Sequence, residues 1–282
     1  MAKREGGGGG EVGGVERGLI RVVFARWVVR ASLITLAMAL LALTLAPLAP
    51  MLLPTGGSRL PATPFYITNE SAGFRALVNT TAVAGYYCVR GLPSTGWSVM
   101  LTAYLANASG ITYIAQVFIV STTPVPTLLT SAYASNVWFP NGELVHVGFN
   151  VPGAPACGWL VVSIRSGIAY FGFSIDGRHV IWFDSYRVGG VVITTVSMRV
   201  GGPGGGSQAV LDGPFEAVLG LYYWGAGGSW RPVTTPYFNN EPITLETVNH
   251  AWVSLGVHCG GVVSWPKPVN WAICPGPPGF NP

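Results

Sequence analysis

Charge is what this chain has least of. Only 9% of its 282 residues are Asp, Glu, Lys or Arg, where about a quarter is usual for a soluble domain. The bases form no patch in residues 54–282, so nothing supports a nucleic-acid partner. The four histidines, His146, His179, His250 and His258, stand singly, with no HxH or HExxH spacing, and no two cysteines have CxxC spacing, so no metal site is expected. No GxSxG elbow is present, which argues against an α/β hydrolase. The run Gly201–Gly206 lacks the Lys-Ser/Thr that ends a phosphate loop, so no nucleotide cofactor is expected.

Long apolar runs are nearly absent too. Residues 31–53, ASLITLAMALLALTLAPLAPMLL, are the one stretch long enough to span a bilayer, which needs about 20 apolar residues. Arg17, Arg21, Arg26 and Arg30 precede it and Arg59 follows it. The positive-inside rule therefore puts residues 1–30 in the cytoplasm as a basic tail and residues 54–282 outside. Two readings stay open for residues 31–53: a retained single-pass anchor, which the length favours, or a signal segment cut in the ALAPLAP region and a secreted product. Residues 54–64, PTGGSRLPATP, read as a linker.

The four cysteines, Cys88, Cys157, Cys259 and Cys274, all lie in the outer part, and an even count outside the cell points to two disulfides. Cys259 and Cys274 flank a proline-rich segment and would close a local loop, leaving Cys88 for Cys157; the other pairings remain open. Asn69, Asn79 and Asn107 head Asn-x-Ser/Thr sequons, as in an exposed glycoprotein. Beyond residue 53 there are eight acids and nine bases. A fold with so few carboxylates has little stability to lose when they are protonated, which suits an acidic exterior.

What the outer part has in quantity is short apolar runs rich in Val, Ile, Tyr, Phe and Trp. They fall at 97–105, 112–120, 144–150, 159–164, 168–175, 179–188, 191–200 and 215–224, separated by turn signals such as Asp176–Gly177 and Gly225–Gly228. Asp-Gly between two apolar runs is a strong hairpin signal. The expectation is an all-β ectodomain, an antiparallel β-sandwich or jelly roll, over residues 65–258. A proline-rich tail, closed by a disulfide, would occupy 259–282. Helix signals are scarce, the best being residues 244–253.

The stretch 201–249 carries the most information. GGPGGGS at 201–207 is followed by AVLGLYYW at 217–224, a short loop, and RPVTTPYFNNEPITLETVN at 231–249. Upstream stand ITNESAGFRALVNTTAVAGYY (67–87), TYIAQVF (112–118), SNVWF (135–139) and WFDSYRV (182–188). In this order the blocks resemble the thermopsins, secreted acid proteases of heat-loving, acid-loving archaea, over roughly residues 65–255. The resemblance implies proteolysis outside the cell. It also maps the Asp of the family's Tyr-Asp-x-Val strand onto Asp184, and the Glu of its Thr-x-Glu segment onto Glu246. The family's Asp-x-Glu pair before the glycine turn falls here on Thr195 and Ser197, and a further Asp falls on Ile243.

Acid proteolysis needs two carboxyl groups close enough to share a proton. The candidates are Asp184 and Glu246, with Glu241 a substitute for the missing Asp. Each also has a plainer reading: Asp184 facing solvent or paired with Arg187, Glu246 in a structural hydrogen bond. Asp176 and Glu143 read as turn residues, and Asp212 and Glu216 as loop and strand-edge charges. Trp97, Trp138, Trp182, Trp224, Trp230 and Trp252 are many for one domain; they serve core packing or present rings to a surface glycan or protein. Two functions follow: a thermopsin-like, membrane-tethered acid endopeptidase acting on proteins through a carboxylate pair and water, or a non-catalytic relative serving as a surface binding or envelope module.

Overall fold

The computed structural model describes residues 64–91, 93–123, 130–212, 214–233, 237–238, 246–255, 259–263 and 276–282. Residues 31–53, Glu241 and Cys274 lie outside them. Among the described residues no helix is long and apolar enough to cross a membrane, and every regular element is a strand.

The strands are β1 (Pro64–Ile67), β2 (Ala72–Thr80), β3 (Ala82–Gly91), β4 (Trp97–Asn107), β5 (Gly110–Ser121), β6 (Ser131–Trp138), β7 (Leu144–Val147), β8 (Val151–Pro152), β9 (Cys157–Arg165) and β10 (Ile168–Ser174). They continue with β11 (Ile181–Arg187), β12 (Val192–Gly201), β13 (Gln208–Ala209), β14 (Phe215–Gly225), β15 (Ser229–Pro232), β16 (Tyr237–Phe238), β17 (Thr247–Val248), β18 (Ala251–Leu255) and β19 (Cys259–Val263). A nine-stranded sheet runs β1-β18-β19-β14-β3-β9-β10-β11, with β15 on β14; an eight-stranded sheet runs β16-β2-β12-β4-β5-β6-β7, with β8 on β6. Both are antiparallel throughout; the short β13–β17 pair is parallel.

The core lies between the sheets. Alternate residues of β4 (Trp97, Val99, Leu101, Ala103, Leu105) and of β12 (Val196, Met198, Val200) meet Val83, Tyr87, Leu160, Val162, Phe171, Ala217 and Leu219 of the other sheet. Two polar atoms cross this core as a satisfied pair, the Tyr87 and Tyr133 hydroxyls at 3.0 Å. Burial pushes both phenols up, Tyr133 to about 12, so the pair stays neutral at any physiological pH.

Several strands are buried on both faces. In β4 the other parity, Ser98, Met100, Thr102 and Tyr104, is also buried, and β3 is buried from Ala82 to Val89. Such strands read as continuous apolar runs rather than alternating ones, and they leave few positions for charge. The 88–157 disulfide forms, joining β3 to β9 at directly paired positions. Asn69, Asn79 and Asn107 are all exposed. The Asp176–Gly177 hairpin forms between β10 and β11.

Residues 244–253 are not a helix where they are described. Thr247–Val248 and Ala251–Leu255 are strands, because β18 is claimed on both sides by β1 and β19. Its alternate residues Ala251 and Val253 point into the core. Ladder pairing and burial outweigh a weak local helix preference. The first five residues of the expected tail form β19 and pair with β14.

Candidate functional site

Asp184 lies in β11, the last strand of the nine-stranded sheet. It would follow Trp182 onto the outer face if alternation were strict. A bulge prevents this: Phe171 of β10 pairs with Asp184, but the next residue, Gly172, pairs with Trp182, leaving Phe183 extra. Trp182 therefore packs outside while Phe183 and Tyr186 face the inter-sheet core. A bulge commonly re-aims a side chain in this way. Asp184 points inward, opposite the buried Phe171.

Inside, the carboxylate meets the other sheet. The Ser135 hydroxyl of β6 donates a short hydrogen bond to Asp184 Oδ2. His146 Nε2 of β7 lies 2.8 Å from the same oxygen. The Asp184 side chain is 6% exposed and that of His146 24%, so the imidazole is the solvent-facing member. Gly148 closes the site from the side. Its N–H donates to the Ser135 carbonyl at 2.9 Å, and a Cβ there would overlap both Ser135 Oγ and Asp184 Oδ2. The imidazole also lies 5.0 Å from the Tyr186 ring, tilted 31°. Tyr186 meets Tyr113 edge-on, and Tyr113 stacks on Phe139. These two outer rings border an open cleft of about 410 Å³ lined by Thr112, Tyr113, Phe139, Pro140, Val188 and Gly189.

Chemically, this is one carboxylate with two donors. It orients an imidazole and holds a serine hydroxyl, but that hydroxyl gives its proton to the carboxylate, not to the histidine. The relay of a nucleophilic serine, in which the histidine takes the hydroxyl proton, is not assembled.

Glu246 sits elsewhere. Its Oε1 accepts the Gly206 N–H at 3.5 Å, and its Cβ lies beside Gly201, where an added Cβ would come within 3.0 Å. Glu246 thus braces the glycine turn that follows β12. Gly201 pairs through Ser98 and Val120 to Ala132 of β6. Three strand spacings, about 14 Å at about 4.8 Å each, therefore separate the Glu246 turn from the strand bearing Ser135. Among the described residues Asp184 and Glu246 share no partner, and the structure does not bring them together as a shared-proton pair. Glu241 lies outside the described residues. Asp176 is a turn residue: Arg178 and His179 N–H groups donate to Oδ1 at 2.8 and 2.9 Å, and His179 Nδ1 lies 2.7 Å from Oδ2. Asp212 accepts from Asn249 at 2.8 Å in its loop. Arg187 is exposed and is not the partner of Asp184.

A second polar group lies on the outer face of the eight-stranded sheet. Arg75, Ser197, Thr102, Gln116 and Asn136 pair across β2, β12, β4, β5 and β6 as one lateral row. Arg199 and Gln116 both donate to Thr102 Oγ1, at 2.9 and 3.4 Å, and Trp138 Nε1 donates to Gln116 Oε1 at 3.0 Å. Ser197 Oγ is buried with no hydrogen-bond partner among the described residues. In the sequence Gln116 stood out only as part of TYIAQVF, and Ser197 only as a position on which the family's Asp-x-Glu pair falls. The signal for the row itself was a polar residue in each of five apolar-rich strands, and nothing in the sequence showed that their registers coincide. Among the described residues no three His, Cys, Asp or Glu cluster.

No protein-family model and no curated protein matches the chain. Among solved structures, it is similar to scytalido-glutamic peptidase. The crystal structure with a peptide-based transition-state analogue matches at a TM-score of 0.39, and that with a transition-state analogue inhibitor at 0.42. Each match has 10% sequence identity and covers 70% of this chain and 98% of the peptidase.

Proposed function

We propose that this chain is a thermopsin-like β-sandwich that binds extended polypeptide outside the cell and does not cleave it. The supporting observation is the solitary state of Asp184: its carboxylate is committed to Ser135 and His146, and no second carboxyl group meets it among the described residues. Water activation by a proton-sharing pair needs both.

The binding half of the reading rests on the edge beside this cluster. β7 and β11 end their sheets on the same side, and neither pairs with a further strand among the described residues. Along this edge Val147 is 65%, Phe149 80% and Ile181 52% exposed. Edge strands normally carry charge or proline that blocks pairing; here exposed apolar side chains, with the one exposed charge of β11 at Arg187, stand beside backbone that no further described strand pairs. An extended peptide adds to such an edge as a strand, its main chain supplying hydrogen bonds and its side chains meeting the apolar residues. A reduced, alkylated, fluorophore-labelled polypeptide should bind the full chain intact, and Val147→Asp with Phe149→Asp should weaken binding at least tenfold. Equal binding by wild type and variant would remove the edge from the account.

The tethered acid endopeptidase is the second reading. Its support is His146, partly exposed and held against a buried carboxylate, which is where a water molecule would be oriented. It requires cleavage at acid pH that disappears in Asp184→Asn.

A further inference from the structure

Away from the Asp184 cluster, the outer face of the nine-stranded sheet carries a group of large rings. Trp159 (β9), Tyr86 (β3), Tyr222 (β14) and Trp230 (β15) are all buried, though they lie outside the main core. Trp159 stands 5.2 Å from Tyr86 and 5.4 Å from Tyr222, and Trp224 meets Trp230 at 5.3 Å. The last residues of the chain cover them. Phe280 is 4% exposed, edge-on to Trp230 at 5.5 Å and to Trp159 at 6.2 Å. The Trp230 indole N–H donates to the Phe280 carbonyl at 2.7 Å, and the Gly279 N–H to the Gly177 carbonyl at 2.7 Å.

The segment behaves like a bound peptide. Residues 277–281, Pro-Pro-Gly-Phe-Asn, alternate exposed, buried, exposed, buried, exposed. Pro278 and Phe280 are turned inward, and the chain bends at Gly279 and Phe280. Proline-rich segments suit aromatic-lined grooves because proline's fixed φ leaves less backbone entropy to lose on docking. An indole N–H to a ligand carbonyl fixes the register, since a buried Trp needs a partner for that group.

We propose that this aromatic socket is a peptide-binding site for the segment Gly-Pro-Pro-Gly-Phe-Asn-Pro, filled in one molecule by its own residues 276–282 and able to accept the same segment from a second copy. The occupant in trans is argued from the occupant in cis: every contact is reproduced when the tail comes from a neighbour, which makes exchange of an identical element a low-cost route to association. The tether is long enough to reach the chain's own socket. β19 ends at Val263, which pairs with Glu216, whereas Trp230 pairs with Trp224. The tail must return about 26 Å along β14 at about 3.3 Å per residue. The 17 steps from Val263 to Phe280 reach about 56 Å.

The test uses a fluorescein-labelled peptide of residues 276–282 and the full chain, read by anisotropy. A tethered tail competes at an effective concentration of order mM, so for a site of about 0.1 mM intrinsic affinity it weakens the probe about tenfold. Phe280→Ala in the protein should therefore tighten probe binding about tenfold, adding Trp230→Phe should reverse the gain, and the same change of Phe to Ala in the probe should abolish binding. Wild type should associate with rising concentration in sedimentation, and Phe280→Ala should not. If Phe280→Ala does not fold, wild type titrated with probe into the mM range decides: saturable binding supports the site, and none overturns it. Binding that ignores the probe's Phe, or a wild type monomeric at mM concentration, likewise overturns the proposal.

Discussion

Asp184 is held by neighbours, not by solvent, and each neighbour has a measurable role. Gly148 must lack a side chain because a Cβ would occupy the space of Ser135 Oγ and Asp184 Oδ2. Gly148→Ala is expected to lower stability by about 1–3 kcal/mol, as overpacking does, and to displace His146; denaturant unfolding and the His146 imidazole NMR signals check this. Ser197 makes the opposite prediction. Its buried hydroxyl meets no partner among the described residues, so Ser197→Ala should be neutral or stabilising by up to about 1 kcal/mol. A loss above 1 kcal/mol would mean the hydroxyl is bonded. At this scale the sequence was informative about identity and blind to partnership. Asp184 was legible because a lone acid in an apolar strand must be either solvated or enclosed. Ser135 and His146 were not, because 49 and 38 residues separate them from Asp184, and only the packing of one sheet on the other joins them. For Glu246, the plainer structural reading matches where the side chain lies.

Among the elements, the β10–β11 hairpin carries the site and has its own pH dependence. Partial burial works against a charged Asp176, but the N–H groups of Arg178 and His179, the His179 ring and the Ser174 hydroxyl outweigh it and hold the carboxyl well below the usual carboxylate range. A depressed folded-state value adds stability that is present above the unfolded value of about 4 and is lost as pH falls through the folded value. The Asp176 side chain is 49% exposed, so solvent screening limits its worth to about 1 kcal/mol at most; Asp176→Asn should therefore lower Tm at pH 7 by no more than roughly 2–4 °C, and the gap should close only under strongly acidic conditions. A gap that closes by pH 5 would contradict the hydrogen-bond account. This hairpin was legible because Asp-Gly between apolar runs has few alternatives. The bulge at Phe183 was not, since nothing in IWFDSYR marks which residue is extra. Residues 244–253 failed as a helix for a related reason: the partners of β18 are β1 and β19, and β1 lies far back in the chain.

For the whole molecule, scarcity of charge and burial on both faces are one fact. β3, β4, β9 and β14 lie mid-sheet with almost every residue buried, so charge is confined to turns, edges and a few enclosed positions. The 88–157 disulfide ties two of these strands across a separation of 69 residues. Its removal by Cys88→Ala with Cys157→Ala should cost about 2–5 kcal/mol, read by thermal unfolding with and without reductant. The sandwich was legible from strand-length runs and turn spacing; which two strands end each sheet was not, because edge position depends on pairing between distant segments. That edge, with Asp184 alone beneath it, carries the central claim. The most direct measurement incubates the full chain with reduced, alkylated protein at high temperature across roughly pH 2 to 7, beside an Asp184→Asn, Glu246→Gln variant, and follows fragments by mass spectrometry. The account predicts bound but intact polypeptide at every pH. Fragments that form at acid pH with wild type and vanish with the variant would contradict it and establish an acid peptidase.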